Sequence, residues 1–409
     1  MNKILSFIKY AIPVVMGAFM MTGCVEEYEA ELPESETNLL VVSGTICSNE
    51  LSQFHLTWSA SLNNDHTDYF SDYDQSTYTY VQPVIGARVT ICGSDGSEYG
   101  CTTNEAGIYI CNTPELNPNT SYYITIAYND DVYQSAPEKP IRTPEIETLE
   151  YFQKDSFSNV EILLSTAEPD NPEQTTYFTW EYAETWEVRP TRKTSIYFDV
   201  ETQTRKYLTA AQQYPERGWK FGNNGTILTE STAHYDGGMF TKYQLLSIPR
   251  KDERITWNYC NDVTHRAISK AEYEYNMACI QAGWDMGGLF SPQPSALPTN
   301  IHCTTSSKRA IGYVGCSQNI AKKRIYIDGT QISRELPEPG PYIKLPDCSE
   351  YDCYKMIERG LVLYIWNDGR MIFEPLVTYW AYPEDFDVRL RGATTVKPDY
   401  MPPFYDYNE

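Results

Sequence analysis

Between Leu39 and about Pro137 the chain is written in short runs of alternating apolar and polar residues. In GARVTI, Ala87, Val89 and Ile91 stand against Arg88 and Thr90, and in YYITIAY the residues Tyr122, Ile124, Ile126 and Tyr128 share one side. A period of two places such residues on one face of a strand. LLVVSGTIC is a further strand-like run, and GSDG and NEAG supply turns. The pattern predicts an antiparallel β-sandwich over 39–137, interrupted by a long acid- and tyrosine-rich loop from Asn63 to Tyr80. The prolines of SAPEKPIRTPEIETL favour extended backbone and predict a connector over 138–149. A larger strand-rich domain is expected over 150–396 and a C-terminal tail over 397–409. The fold class is therefore mainly β, an N-terminal sandwich followed by a larger strand-rich domain with one or a few helices.

TTYFTWEYAETWEV, RITWNYC, IHCTTSSKRAIGYVGCS and GLVLYIWN read as strands of that second domain, being rich in β-branched and aromatic residues. One stretch reads as helix, AISKAEYEYNMACIQAGWD. Ser269 is a good N-cap with Glu272 three residues on, the capping-box arrangement. Tyr273, Met277, Ile280 and Trp284 then recur at helical spacing, a stripe expected to face the core.

The N-terminus follows a different pattern. Lys3 and Lys9 precede the apolar run AIPVVMGAFMM and the small pair Thr22 and Gly23, a signal-peptide arrangement over 1–23. The run is too short for a stable membrane span, and Pro13 interrupts it. MTGC, ending at Cys24, resembles a bacterial lipobox, which implies a diacylglyceryl thioether on Cys24 and cleavage before it. Several acyl chains anchor stably where one is marginal. Glu26, Glu27 and Glu29 open an acidic tether over 24–38 that resembles the surface-export signal of Bacteroidetes lipoproteins, and it also reads as a solvated linker.

Charge and cysteine usage narrow the classes further. The formal charge is −23, and loss of the leader with its two lysines makes it −25. Such acidity argues against nucleic acid and against charge-driven adhesion to anionic membrane, so the expected anchor to the outer membrane is the lipid. Ten cysteines remain beside Cys24: Cys47, Cys92, Cys101, Cys111, Cys260, Cys279, Cys303, Cys316, Cys348 and Cys353. An even number in an exported chain predicts disulfides. Cys101 and Cys111 lie symmetrically about Ala106 in a hairpin, which leaves Cys47 and Cys92 to pair by elimination, and the close spacing of Cys348 and Cys353 allows a tight loop. No CxxC or HExxH occurs, so neither a metal site nor a cofactor is expected.

Catalytic signatures are equally thin. There is no GxSxG elbow, and among 55 acids a glycosidase pair has no readable spacing. Asp65, Asp68, Asp72 and Asp74 offer oxygen ligands to calcium but lack the EF-hand glycine and closing glutamate, which favours a solvated loop. Tyr69, Tyr73, Tyr78 and Tyr80 crowd the same loop and suit a glycan, peptide or protein partner, although tyrosine also fills half-exposed strand positions. Phe290, in the GGLFSPQP loop over Gly287 to Pro294, is a second partner-surface candidate, with plugging of its own core as the alternative.

Two resemblances organise these signals. GARVTICGSDGSEYGCTTNEAGIYICNTPELNPNTSYYITIAY resembles the carboxypeptidase-regulatory or transthyretin-like β-sandwich, a module that is usually non-catalytic. Ala267 to Ile327 resembles the DUF4249 family of Bacteroidetes lipoproteins through Ser269, Glu272, Tyr273 and Tyr275, then Gly288, Leu289, Phe290, Pro292 and Pro294, then Asn300 and Ile301, then Ile311, Gly312, Tyr313 and Ser317. FTWEYAETWEV matches it upstream. Trp284, Met286 and the cysteines at 279, 303, 316, 348 and 353 depart from the pattern. The resemblance implies a non-catalytic surface lipoprotein that binds nutrient or serves a SusC-like TonB-dependent transporter, with a glycan or peptide as ligand. The alternatives are a structural or adhesive surface lipoprotein and, behind it, a hydrolase.

Overall fold

The computed structural model describes residues 39–59, 82–284, 297–368 and 376–402. The leader, Cys24, the tether, the Asn63 to Tyr80 loop with its four tyrosines and four aspartates, and Phe290 lie outside the described residues. The chain begins with β1 (Leu40–Ser48), β2 (Leu51–Trp58), β3 (Gln82–Pro83), β4 (Arg88–Gly93), β5 (Glu98–Gly100), β6 (Thr102–Glu105), β7 (Ile108–Asn112), β8 (Tyr122–Tyr128) and β9 (Asp131–Ser135). There follow β10 (Ile141–Arg142), β11 (Ile146–Phe152), β12 (Val160–Thr166), β13 (Tyr177–Val188), β14 (Ile196–Asp199), β15 (Thr204–Tyr207), β16 (Gly218–Asn223), β17 (Leu228–Ser231), β18 (Tyr243–Ile248) and β19 (Asn258–Ile268). Helix α1 (Lys270–Trp284) precedes β20 (Ile301–Cys303), β21 (Ala310–Gln318), β22 (Ala321–Asp328) and β23 (Tyr342–Pro346). Helix α2 (Glu350–Glu358), β24 (Val362–Asn367) and β25 (Val377–Ala381) complete the described elements.

The first unit is a sandwich whose sheets run β10-β21-β1-β2-β7-β6, with β3 on β2, and β20-β9-β8-β4-β5. Period-two burial builds its core as expected: Val89, Ile91, Ile124 and Ile126 are fully enclosed and Tyr122 nearly so, with Leu40, Val42, Phe54 and Leu56 opposite. Tyr128 is half-buried, edge-on to Trp58 at 5.6 Å.

The sandwich does not stop at 137. β1 pairs in parallel with β21 along its whole length, Leu40 opposite Ala310 through Ser48 opposite Gln318, and β20 pairs with β9. Strands from the late chain thus complete both early sheets. Gly312 makes the parallel contact feasible: its φ is +119°, and a Cβ there would sit 1.8 Å from the Val42 carbonyl oxygen. The predicted connector is also stitched in, through a bridge between Tyr122 and Glu138 and the pairing of β10 with β21.

The second unit stacks β11-β12-β18 on β16-β13-β19-β22, with β17 beside β13. Its core holds Phe178, Trp180, Phe240 and Val263 at one end and Val160, Ile162, Ile248 and Tyr259 at the other. A smaller sheet, β23-β25-β24, packs on α2 and β14 through Trp380, Leu363, Met356 and Phe198. The C-terminal tail is docked as far as residue 402. Met401 packs with Trp219 and Cys260, and the Tyr400 hydroxyl lies 2.8 Å from that of Thr185.

Helix α2 is a second helix beside α1, in keeping with the one or a few expected. Ser349 and Asp352 form a full capping box, Oγ accepting from the Asp352 N–H and the carboxylate from the Ser349 N–H. This is the same kind of start signal as in α1, here followed by Cys353, Met356 and Ile357 on the core side. In α1 the stripe is displaced. Tyr273, Met277 and Ile280 are half-buried, while the well-buried side chains are Glu272 and Asn276.

His265 is the most anomalous core residue. It is fully buried on β19 with its ring near-parallel to Phe178 at 5.0 Å and Trp180 at 5.7 Å, and neither ring nitrogen has a hydrogen-bond partner among the described residues. Burial pushes the imidazole down to about 3. The unfolded chain takes up this proton near pH 6.5, so between those values the unfolded state binds more protons and stability is lost as the pH is lowered. We expect this group to remove about 1.4 kcal/mol per pH unit below 6.5. Denaturant titrations at neutral and mildly acidic pH should show a shallower loss for His265→Leu, and an unchanged slope would contradict the assignment.

Candidate functional site

A cleft of about 930 Å³ opens between the sandwich and the second unit. Strand alternation explains its lining. The even-numbered residues of β1 and β2 fill the sandwich core, which turns Ser43, Thr45 and Cys47 and then Leu51, Gln53 and His55 toward the cleft. On the facing sheet, Phe178, Trp180, Val263, His265 and Ala267 serve the core, and Thr179, Glu181, Asp262, Thr264 and Arg266 project the other way. The turn from β16 to β17 forms a third wall. Asn224 fixes it there, accepting from the Tyr182 N–H at 2.9 Å and donating to the Trp180 carbonyl at 3.2 Å.

The closed end is built on one ion pair. Arg266 donates to both carboxylate oxygens of Glu272, at 3.1 and 2.6 Å, and more weakly to Ser317 Oγ at 3.4 Å. The side chains are only 13% and 7% exposed, so the charges must satisfy each other. Gly315 clears the space, since a Cβ on it would lie 2.2 Å from Glu272 Oε2. Sequence reasoning placed Glu272 in a capping box. Only half of that box forms: Ser269 Oγ accepts from the Glu272 N–H at 3.1 Å, but the Glu272 carboxylate turns to Arg266, whose full charge outcompetes a backbone N–H.

A second carboxylate stands behind the first. Glu138 Oε1 accepts from the Tyr313 hydroxyl and from Ser269 Oγ at 3.0 Å, while its Oε2 is buried without a hydrogen-bond partner among the described residues. Burial raises the Glu138 pKa against the lowering effect of the Tyr313 bond, and the charge of Glu272 raises it further. Tyr313 packs against Tyr275 of α1, ring centroids 5.4 Å apart, so helix, connector and β21 meet at this cluster.

Elsewhere the cleft is polar and largely self-satisfied. Asp262 holds Arg324 through two contacts of 2.5 and 2.7 Å, and Gln53 Nε2 lies 2.7 Å from His55 Nε2. Glu181 is exposed and has no ion-pair partner among the described residues. No set of three or more His, Cys, Asp or Glu side chains gathers at metal-binding spacing among the described residues. None of the described helices is long and apolar enough to cross a membrane.

No two of the ten cysteines are bonded to each other in this structure, and they are dispersed through all three units. Cys348 and Cys353 are adjacent, Sγ to Sγ 2.9 Å, and Cys101 and Cys111 share a side-chain hydrogen bond. Cys47 and Cys92 do not meet. Cys47 lies on the cleft side of β1 among Arg266, Glu50 and Lys322, whereas Cys92 is on the other sheet beside Thr125. Cys260 and Cys316 are buried singly in cores, Cys279 bonds Tyr275, and Cys303 is half-exposed beside Ser306 at 3.2 Å. Sequence reasoning missed the cleft because its walls come from separated strands.

The profile of a family described as a domain of unknown function, DUF4249, matches residues 25–323. The chain belongs to the DUF4249 family. All the cleft residues fall inside the DUF4249 match, while the sheet β23-β25-β24 lies beyond its end. No curated protein matches the chain.

Arg266→Met should leave Glu272 buried without its counter-charge and destabilise the protein by about 3–5 kcal/mol. The double variant Arg266→Met, Glu272→Leu should recover most of that loss in denaturant titrations. If the double variant is as unstable as the single one, the pair is not what holds the helix.

Proposed function

We propose that this DUF4249 protein is a lipid-anchored protein of the bacterial outer membrane, facing the exterior, that binds a nutrient and serves a SusC-like TonB-dependent transporter without catalysing a reaction. The observation that carries the anchoring is the run AIPVVMGAFMMTGC, a short apolar leader ending at Cys24, followed by three glutamates within five residues. The family match opens at residue 25, immediately behind that cysteine. Support for binding over chemistry comes from the cleft, whose buried charges, Arg266 and Glu272, are spent on each other rather than left for a reacting group. The Bacteroidetes-type export signal and the transporter partnership rest on the resemblances already described.

Cys24→Ser should abolish acyl labelling and move the protein to the soluble fraction. Affinity purification of the native protein from outer membranes should recover a TonB-dependent transporter. Changing Tyr69, Tyr73, Tyr78 and Tyr80 together to serine should lower that recovery about tenfold or more, as loss of an interface centre does. Membrane retention of Cys24→Ser, or purification of the wild type without a transporter, would remove the respective half of the proposal.

The exported setting also gives the thiols a role. Cys348 with Cys353 and Cys101 with Cys111 are the pairs we assign as disulfides, each formed by loss of two electrons and two protons to the oxidising compartment. Non-reducing peptide mapping of protein from the cell surface should find both links; four alkylatable thiols at these positions would refute them.

A further inference from the structure

We infer that the cleft between the sandwich and the second unit binds a neutral oligosaccharide, an inference that rests on the binding role proposed above and names its ligand class. Its volume of about 930 Å³ is at the upper end of small-ligand sites, room for several sugar units. The chemistry of the walls then selects among ligands.

An anionic ligand is disfavoured. The cleft's arginine, Arg266, is consumed by Glu272, and a carboxylate or phosphate entering beside Glu181 and Asp262 would lose hydration without gaining a counter-charge. An apolar ligand is disfavoured by the same walls, because it would strip water from Thr179, Thr264, Asn223 and Gln53 and return no hydrogen bonds. A peptide bound by strand addition needs an unpaired sheet edge. Here the four strands of the two facing sheets that form the main walls are flanked on both sides: β1 by β21 and β2, β2 by β1 and β7, β13 by β16 and β19, β19 by β13 and β22.

What the walls do offer is a set of hydroxyl, amide and carboxylate groups from interior strands, held in place by their sheets. Such groups match the alternating donors and acceptors of a sugar ring. Tyr275 adds a half-buried ring to the lining, an amphipathic surface of the kind that packs on the C–H faces of sugars. Glu181, uncommitted to any cation among the described residues, is placed as the strongest acceptor for sugar hydroxyls.

The test uses the lipid-free full mature chain, carrying Cys24→Ser, in calorimetric titrations against maltohexaose, cellohexaose, xylohexaose and mannohexaose. Hexagalacturonate and a tryptic digest of casein serve as the anionic and peptide comparisons. We expect saturable binding of at least one neutral hexaose. Glu181→Ala and Gln53→Ala, both at exposed positions, should each weaken it about tenfold, with unchanged melting. Failure of every neutral hexaose at millimolar concentration would overturn the inference. So would binding of hexagalacturonate or casein peptides alone, or sugar binding that neither cleft variant affects. Transporter recovery from membranes separates the two levels: if it persists while the sugars fail, only the ligand class falls, and if it fails too, the parent proposal falls with it.

Discussion

The parallel pairing of β1 with β21 is the constraint on which the rest of the architecture depends. It joins the first described strand to one that follows all but the last strand of the second unit, over nine consecutive residue pairs. Because β21 also carries β10 on its other side and contacts α1 through Tyr313 and Gly315, fixing this strand fixes the helix, the connector and the cleft wall together. The burial of β21 on both faces is what a parallel strand inside a sheet requires.

That arrangement gives the ion pair of Arg266 and Glu272 its meaning. Arg266 lies on the second unit, Glu272 on the helix, and the glycine that admits the carboxylate on β21 of the first sheet. Three elements are thereby locked at a point where apolar packing is sparse and the neighbours are Ser269, Ser317 and Glu138. A buried pair of this kind adds little net stability over apolar residues of the same size, but it tolerates only one geometry. The walls of the cleft inherit that geometry.

Much of the local structure was legible in the residues. Tyr122, Ile124 and Ile126 announced their strand by period, and Ser269 announced the start of α1. α2 carried a comparable signal in Ser349 and Asp352, followed by Cys353, Met356 and Ile357 on its core side. The stripe of α1 misled, since the helix turns Glu272 and Asn276 inward against a polar junction. The partner of Glu272 was not readable at all: with 55 acids and 32 bases in the chain, nothing local selects Arg266. The β1 and β21 pairing left the same silence, because strands so far apart share no turn. Only Gly312, whose backbone a side chain would block, hints at a close approach. The cleft is the meeting of two sheet faces, each unremarkable in its own strand pattern.

The remote partner of β1 also sets the order in which the molecule can be made. A chain that emerges N-terminus first exposes β1 and β2 with one flank open until Ala310 to Gln318 has followed. Closing a loop of that length costs about 5 kcal/mol of chain entropy beyond the constant for any loop. Such long-range contacts form slowly, and an unpaired strand edge invites association with other chains meanwhile. The first unit therefore cannot mature as an autonomous domain, and a chain truncated before residue 310 would present that open edge permanently.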